Sequence, residues 1–360
     1  MKITNIKLLI GAIAVSVLTS CENGPIPIES FDYTATYFGW QYPVRTLVLG
    51  GSDYYDTTND LLHQFEIKAS MSGVSANVKN INVQFEIDPS LVDSLAFNNG
   101  TSNVRLKLLP STYYEPITMN NMVIPAGSFN GGITVKLTDA FFADPLSYTT
   151  KYVLPIRILS TTTDSLLKGR KSSTSIISPI STIASKWGVD PRIPVNWEVK
   201  AQNYTIYAIK YVNKYNGYYL KRGVEQDITT GVTATAKGYG WEKKFIEYTT
   251  FIPKLSTLSL TKLLYSDKLA VSSVNFKGIM EVAADNTVTI IKEPTSTTNI
   301  SGTGKYVVGL EQWGGKQRNA FYLNYTVTDP ATSKTYSVKD TLVIRDNAVA
   351  VETFTPVILQ

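Results

Sequence analysis

Three short clusters in this chain set an aromatic ring among glycines, side-chain amides and charges. They are Phe38-Gly39-Trp40-Gln41-Tyr42, Lys237-Gly238-Tyr239-Gly240-Trp241-Glu242-Lys243 and Glu311-Gln312-Trp313-Gly314-Gly315-Lys316-Gln317-Arg318-Asn319. This mixture suits a sugar. The C–H face of a sugar ring stacks on Trp or Tyr, while amides and charges bind its hydroxyls. In the last two clusters glycines flank the tryptophan, so a loop can hold the ring with its face exposed. The competing reading is that each tryptophan plugs a barrel end or packs between domains, because burial is a common fate for Trp. Trp313, Trp241, Tyr239, Gln312 and Arg318 are the candidate ligand-binding residues here, and Trp40 reads as core. Tyr218 and Tyr219 are further candidates. They follow Asn216-Gly217, a strong hairpin signal, and adjacent residues of a strand face opposite sides, so either ring could line a barrel mouth.

Residues for bond-breaking chemistry are sparse. His63 is the only histidine, it lacks a nearby nucleophile elbow, and a Ser-His-Asp triad would have to be built on it. It reads as structural. One imidazole and no spare thiolate make a transition-metal centre a poor fit. Asp53-Tyr54-Tyr55-Asp56-Thr57-Thr58-Asn59-Asp60 offers oxygen ligands but lacks the acidic spacing, central glycine and closing glutamate of a calcium loop, so it reads as a polar loop. Glu242, Glu247, Glu281 and Glu311 lie in the second half, yet nothing in the sequence pairs two of them across a glycosidic bond. The expectation is no catalytic residue, no metal and no cofactor.

The elements that must position these residues begin with a leader. Lys2 and Lys7 precede an apolar run from Leu8 to Leu18, and Leu18-Thr19-Ser20-Cys21 has the form of a lipobox. Residues 1–20 read as a signal peptide too short to span a membrane. Cys21, the only cysteine, reads as the lipidated first residue of the mature chain. Residues 21–30 read as a tether, and Glu22 after the cysteine points to the outer membrane. Without the leader the net charge is about +3, too balanced for an electrostatic nucleic-acid binder.

The remainder reads as strands and turns. Phe65–Ala69, Val83–Ile87 and Ile133–Leu137 alternate apolar and polar residues, as half-buried antiparallel strands do. Tyr152–Leu159 is a strand with Pro155 inside it, which predicts an edge strand or a bulge. Thr174–Ile177 is a candidate last strand of this unit. A second series runs through Tyr204–Val212, Tyr218–Lys221, Val232–Ala236, Phe245–Phe251, Ile279–Val282, Val288–Ile291, Tyr306–Leu310, Phe321–Val327 and Tyr336–Ile344. Leu255–Leu264 fits a short helix or a strand. The predicted fold is all-β: an immunoglobulin-like β-sandwich over 31–185, then an antiparallel, lipocalin-like β-barrel over 195–360.

Several runs carry a family likeness. Val104-Arg105-Leu106-Lys107-Leu108-Leu109-Pro110-Ser111-Thr112-Tyr113-Tyr114, then Ile124-Pro125-Ala126-Gly127-Ser128, then Tyr152-Val153-Leu154-Pro155-Ile156-Arg157-Ile158 resemble the adhesion-type N-terminal domain of Bacteroidetes outer-membrane lipoproteins. The second half is similar to the barrel module often fused to it, through Asn213–Gly223, Ser301–Tyr306 and Glu311-Gln312-Trp313-Gly314. The resemblance implies a sandwich followed by a barrel, and a protein of cell adhesion or polysaccharide utilisation.

The leading expectation is a non-catalytic outer-membrane protein, held only by its lipid anchor and facing the cell exterior, that captures a glycan and binds no nucleic acid. The alternatives are an adhesive module for a protein partner or neighbouring cell, and a hollow-barrel carrier of an apolar ligand.

Overall fold

The computed structural model describes residues 30, 31, 33–237 and 251–359. The leader with Cys21, and the segment with Tyr239, Trp241, Glu242 and Glu247, lie outside the described residues.

The first fourteen strands in chain order are β1 (Ala35–Tyr37), β2 (Pro43–Val48), β3 (Gln64–Ser72), β4 (Ile81–Ile87), β5 (Leu95–Asn98), β6 (Asn103–Arg105), β7 (Lys107–Leu108), β8 (Asn121–Ile124), β9 (Asn130–Lys136), β10 (Tyr152–Thr161), β11 (Ser165–Leu166), β12 (Arg170–Lys171), β13 (Trp197–Val199) and β14 (Tyr204–Val212). The barrel strands are β15 (Gly217–Asp227), β16 (Thr233–Lys237), β17 (Lys254–Thr257), β18 (Lys262–Lys268), β19 (Asn275–Val282), β20 (Thr287–Lys292), β21 (Asn299–Trp313), β22 (Lys316–Asp329) and β23 (Lys334–Asp346). Two short strands, β24 (Glu352–Thr353) and β25 (Pro356–Ile358), end the chain.

The chain is all-β in plan, a sandwich followed by a closed barrel. One sandwich sheet has the order β11-β1-β3-β9 and the other β24-β2-β14-β10-β4-β8, with β7 paired to β10. The alternation seen in Phe65–Ala69, Val83–Ile87 and Ile133–Leu137 turns Phe65, Ile67, Val83, Phe85, Ile133 and Val135 into the core between the sheets. A second apolar cluster lies on the outer face of the larger sheet. There Leu91, Leu95, Tyr204, Ile206 and Ala208 pack with Ile183 of the helix Ser181–Trp187 and with Phe354.

Several expectations change at this point. Tyr204–Val212 does not open the barrel. It is buried on both faces, which requires a central strand between two packed layers, and it sits between β2 and β10. The sandwich therefore takes strands as late as β14, and takes back β24 and β25 from the C-terminus, through β2 and β5. Thr174–Ile177 forms no strand. Pro155 lies in the middle of the sheet. Its edge toward β4 and β7 is a gap, because β7 pairs at Tyr152 and Val153 and β4 begins at Ile156, so the missing N–H falls where no ladder bond is due. Leu255–Leu264 is strand, divided between β17 and β18.

The barrel closes through β15–β23 pairing to give eight antiparallel strands, with β16 alongside the second half of β15. Its interior is filled by rings: Tyr215 and Phe321 stand 4.8 Å from Tyr306, and Phe276 5.2 Å from Tyr265 and 5.8 Å from Tyr325. Among the described residues this packing removes the cavity that an apolar-ligand carrier needs. The interior also holds charge. Lys221 Nζ lies 3.1 Å from Glu225 and Asp267 and 3.4 Å from Asp340. Asp340 Oδ1 presses on Gly223, where a Cβ would sit 1.9 Å away, so only glycine fits opposite this carboxylate.

Candidate functional site

The Asn-Gly signal marks a junction between domains. The turn Asn213–Asn216 joins β14 of the sandwich to β15 of the barrel. The two buried asparagines fix it. Asn213 Nδ2 donates to Ser259 O at 2.7 Å and its Oδ1 accepts from Tyr215 N–H, while Asn216 Nδ2 donates to Asn347 O at 2.9 Å and its Oδ1 accepts from Thr257 N–H. On the sandwich side, Leu49 N–H donates to Val212 O. Gly50 then passes so close to the turn that a Cβ would lie 2.8 Å from Lys214 backbone atoms.

A cleft of about 350 Å³ opens at this junction. Its walls are the sandwich loop from Gly50 to Tyr54, the turn at Asn213–Asn216, and the near ends of β22 and β23. Two clasps cross it: Asp53 Oδ2 lies 3.2 Å from both Lys316 Nζ and Arg318 Nη1, and Asn347 Nδ2 lies 3.2 Å from Tyr55 OH. Tyr54 stands at the rim with 69% of its surface exposed. Deeper in, burial pushes the Tyr306 hydroxyl up to about 12 despite its hydrogen bond with Asn319.

Among the described sequence candidates, Arg318 lines this cleft. Its guanidinium carbon is 5.8 Å from the Trp313 ring, within cation–π range, and Nη1 also reaches Arg345 O at 3.4 Å. The two-residue turn Gly314-Gly315 takes positive φ at both positions, which glycine accommodates, and so returns β22 against β21 with Gln312 opposite Gln317. Trp313 is half-buried against Leu220, Ala320 and Val343 on the outer barrel wall, so it backs Arg318 and does not line the cleft. Gln312 is exposed. Tyr218 lies on the outer wall with Arg345 5.0 Å and Lys254 5.6 Å from its ring centre. Tyr219, a candidate for the barrel mouth, is fully buried: its hydroxyl donates to Tyr215 O at 2.8 Å and its ring meets Phe321 inside the barrel. Tyr239 and Trp241 lie outside the described residues.

Other described groups engage partners within the fold, with one exception. His63 packs 4.3 Å from Phe142. The carboxylates of the 53–60 loop diverge: Asp53 goes to Lys316 and Arg318, Asp56 to Thr58, and Asp60 to Arg45 and Val48 N–H. Glu311, expected on a solvated strand face, is instead buried, accepting from Tyr322 OH at 2.8 Å and pairing with Arg222, while Glu281 pairs with Lys262 on the surface. The exception is Trp40, expected in the core, which is 66% exposed. Ile206 N–H donates to Gln41 O and Thr205 Oγ1 to Trp40 O, so backbone bonds hold the segment while the ring points out. A larger cleft, about 570 Å³, opens at the far end of the barrel around Asp267, Lys277 and Thr295–Thr297. None of the described sequence candidates lines it.

Residues 31–165 match the model of a family of N-terminal domains, and residues 214–348 match that of DUF5627, a domain of unknown function. A crystal structure of a Bacteroides ovatus protein of unknown function is 30% identical over 91% of this chain and 100% of its own, with a TM-score of 0.74. This chain belongs to the same family as that protein. Two other Bacteroides structures are remote, each at 12% identity and a TM-score of 0.36. One, a B. ovatus protein of unknown function, covers 87% of this chain and 92% of its own. The other, an auxiliary nutrient binding protein from B. thetaiotaomicron VPI-5482, covers 84% and 91%. A search of curated proteins gave no match.

Residues of both matched segments line the cleft, Gly50 to Tyr54 from the first and Lys214, Arg318 and Asn347 from the second. Sequence reading missed Asp53, Lys214 and Asn347 as cleft residues. Each is an ordinary polar residue in its own neighbourhood, and only the junction brings them together. The available signal was Asn213-Lys214-Tyr215-Asn216-Gly217, two asparagines flanking Lys214-Tyr215 before a glycine, which marks a tight, side-chain-bonded turn.

Proposed function

We propose that this protein is a non-catalytic binding protein that holds a glycan in the cleft between its sandwich and its barrel, tethered by acyl chains on Cys21 at the outer membrane. The observation that carries the reading is the makeup of one polar cleft: the Arg318 guanidinium backed by Trp313, the exposed ring of Tyr54, and the amides of Gln317 and Asn347. Such groups match hydroxyls and C–H faces together. The two cleft carboxylates, Asp53 and Asp346, are each engaged by a basic side chain, which suits binding better than proton transfer. Affinity-gel electrophoresis of the mature chain against a panel of polysaccharides tests it. Arg318→Ala should weaken a detected interaction at least about ten-fold, equivalent to about 1.4 kcal/mol. Unchanged retention would remove the cleft as the site.

A protein partner is the second reading. It is favoured by Trp40 at 66% exposure and by Val308 and Leu310, 70% and 65% exposed where the β21–β22 register slips. It predicts that Trp40→Ala abolishes capture of an envelope protein while glycan retention stays at background.

A further inference from the structure

Among the described residues, the cleft carries more basic than acidic side chains. Lys214, Arg318 and Arg345 line it and Lys316 stands at its rim, against Asp53 and Asp346. Asp346 is taken up within the wall, where its Oδ2 lies 2.7 Å from Arg345 Nε and its Oδ1 accepts from Ala348 N–H. Asp53 is divided between Lys316 and Arg318. Lys214 is exposed and forms no ion pair with any described residue. Its Nζ rests 4.9 Å from the Tyr215 ring, and its backbone is clamped by Gly50. Arg318 is itself only partly committed: Nε and Nη1 have partners, whereas Nη2 donates to no described residue.

We infer that the ligand of this cleft is an anionic glycan, one whose sugar units carry uronate carboxylates or sulfate esters. This inference rests on the glycan reading above and narrows it. A guanidinium donates paired N–H groups to a planar or tetrahedral oxyanion, and a lysine adds a point charge. A concave wall with surplus positive charge concentrates anions and speeds their arrival. Asp53 then acts as the resident anion that the ligand's acid group displaces from Arg318, while Tyr54 at the rim is placed to stack on the sugar ring.

The test uses the full mature chain with three probes: polygalacturonate (carboxylate only), dextran sulfate (sulfate only) and neutral dextran. At least one anionic polymer should bind ten-fold or more tighter than dextran, and its affinity should fall several-fold between 50 and 250 mM salt. Lys214→Ala should weaken that binding about three- to ten-fold, with Lys214→Arg restoring it. Lys277→Ala, toward the far end of the barrel, should leave it unchanged. Preference for polygalacturonate assigns a uronate and preference for dextran sulfate a sulfate ester. If dextran binds equally well, independently of salt, and Arg318→Ala weakens it, the acidic ligand is overturned and the glycan cleft stands. Equal losses for Lys214→Ala and Lys277→Ala would mean attraction to surface charge alone and overturn the inference. If no polymer is retained, the acidic ligand is overturned, and the glycan reading is left to the wider polysaccharide panel.

Discussion

The barrel interior and the cleft at its near end are built from the same residue types: tyrosines, basic side chains and aspartates. In the interior, Lys221, Glu225 and Asp340 are sealed and Asp267 nearly so, and their bonds run to one another, to Tyr325 and to Val271 N–H. In the cleft, Lys316, Arg318 and Asp53 lie at or near the surface, with Asp53 shared and Lys214 in no ion pair with a described residue. Solvent makes the difference. Buried ions must be matched by partners because their hydration is lost, whereas exposed ions can wait for a ligand in water. Residue type alone therefore does not mark a binding site; access to water does.

Breaking the interior should have the largest effect. Lys221→Met leaves three carboxylates in and around the barrel core without their cation, and should cost about 3–5 kcal/mol, read as a lowered urea midpoint. A loss under about 1 kcal/mol would show that water reaches the cluster and that the barrel is not sealed.

The next effect concerns pH. Burial pushes the Asp340 carboxyl up to about 6, partly offset by the Lys221 charge. Burial alone would disfavour the Lys221 cation, but Asp340, Asp267 and Glu225 outweigh it and hold its pKa above the usual lysine range. The folded chain thus holds a proton on Asp340 that the unfolded chain releases near 3.8. Through this group, stability falls as pH rises from about 4 to 6, by up to about 3 kcal/mol. Asp340→Asn removes that term. Its stability relative to the parent should therefore rise between pH 4 and pH 7 in paired denaturant titrations; a flat difference would contradict the sealed, raised carboxyl.

The smallest effect is expected in the cleft. Lys316→Ala removes an exposed ion pair with Asp53, and thermal unfolding should register a change within about 0.5 kcal/mol. A larger loss would mean that this clasp holds the two domains together, and the contrast with the interior would narrow.

Much of the fold was legible because a strand writes its burial into alternate residues. Phe65-Glu66-Ile67 and Val83-Gln84-Phe85 could be assigned to a sandwich face without any partner in view. Strand partners were not legible. Tyr204–Val212 reads as a strand, but its place between β2 and β10 depends on pairings with residues as distant as Val44, which nothing in its own segment encodes. The candidate site divides in the same way. Arg318 lines the cleft from a hairpin with a local signature, while the burial of Tyr219 and the exposure of Trp40 are not legible, because a strand or loop ring does not announce which side faces water.

The chain's residues by themselves determined an all-β molecule of two units with aromatic, amide-rich turns. Only the tertiary structure decided where one unit ends, which tyrosines fill the barrel, and that Asp53, Lys214 and Arg318 share a cleft. Alternation and turn chemistry act over a few residues and survive in the sequence. A cleft is made by segments more than a hundred residues apart, and its charge balance exists only once the packing of both domains has chosen which of those groups water can still reach.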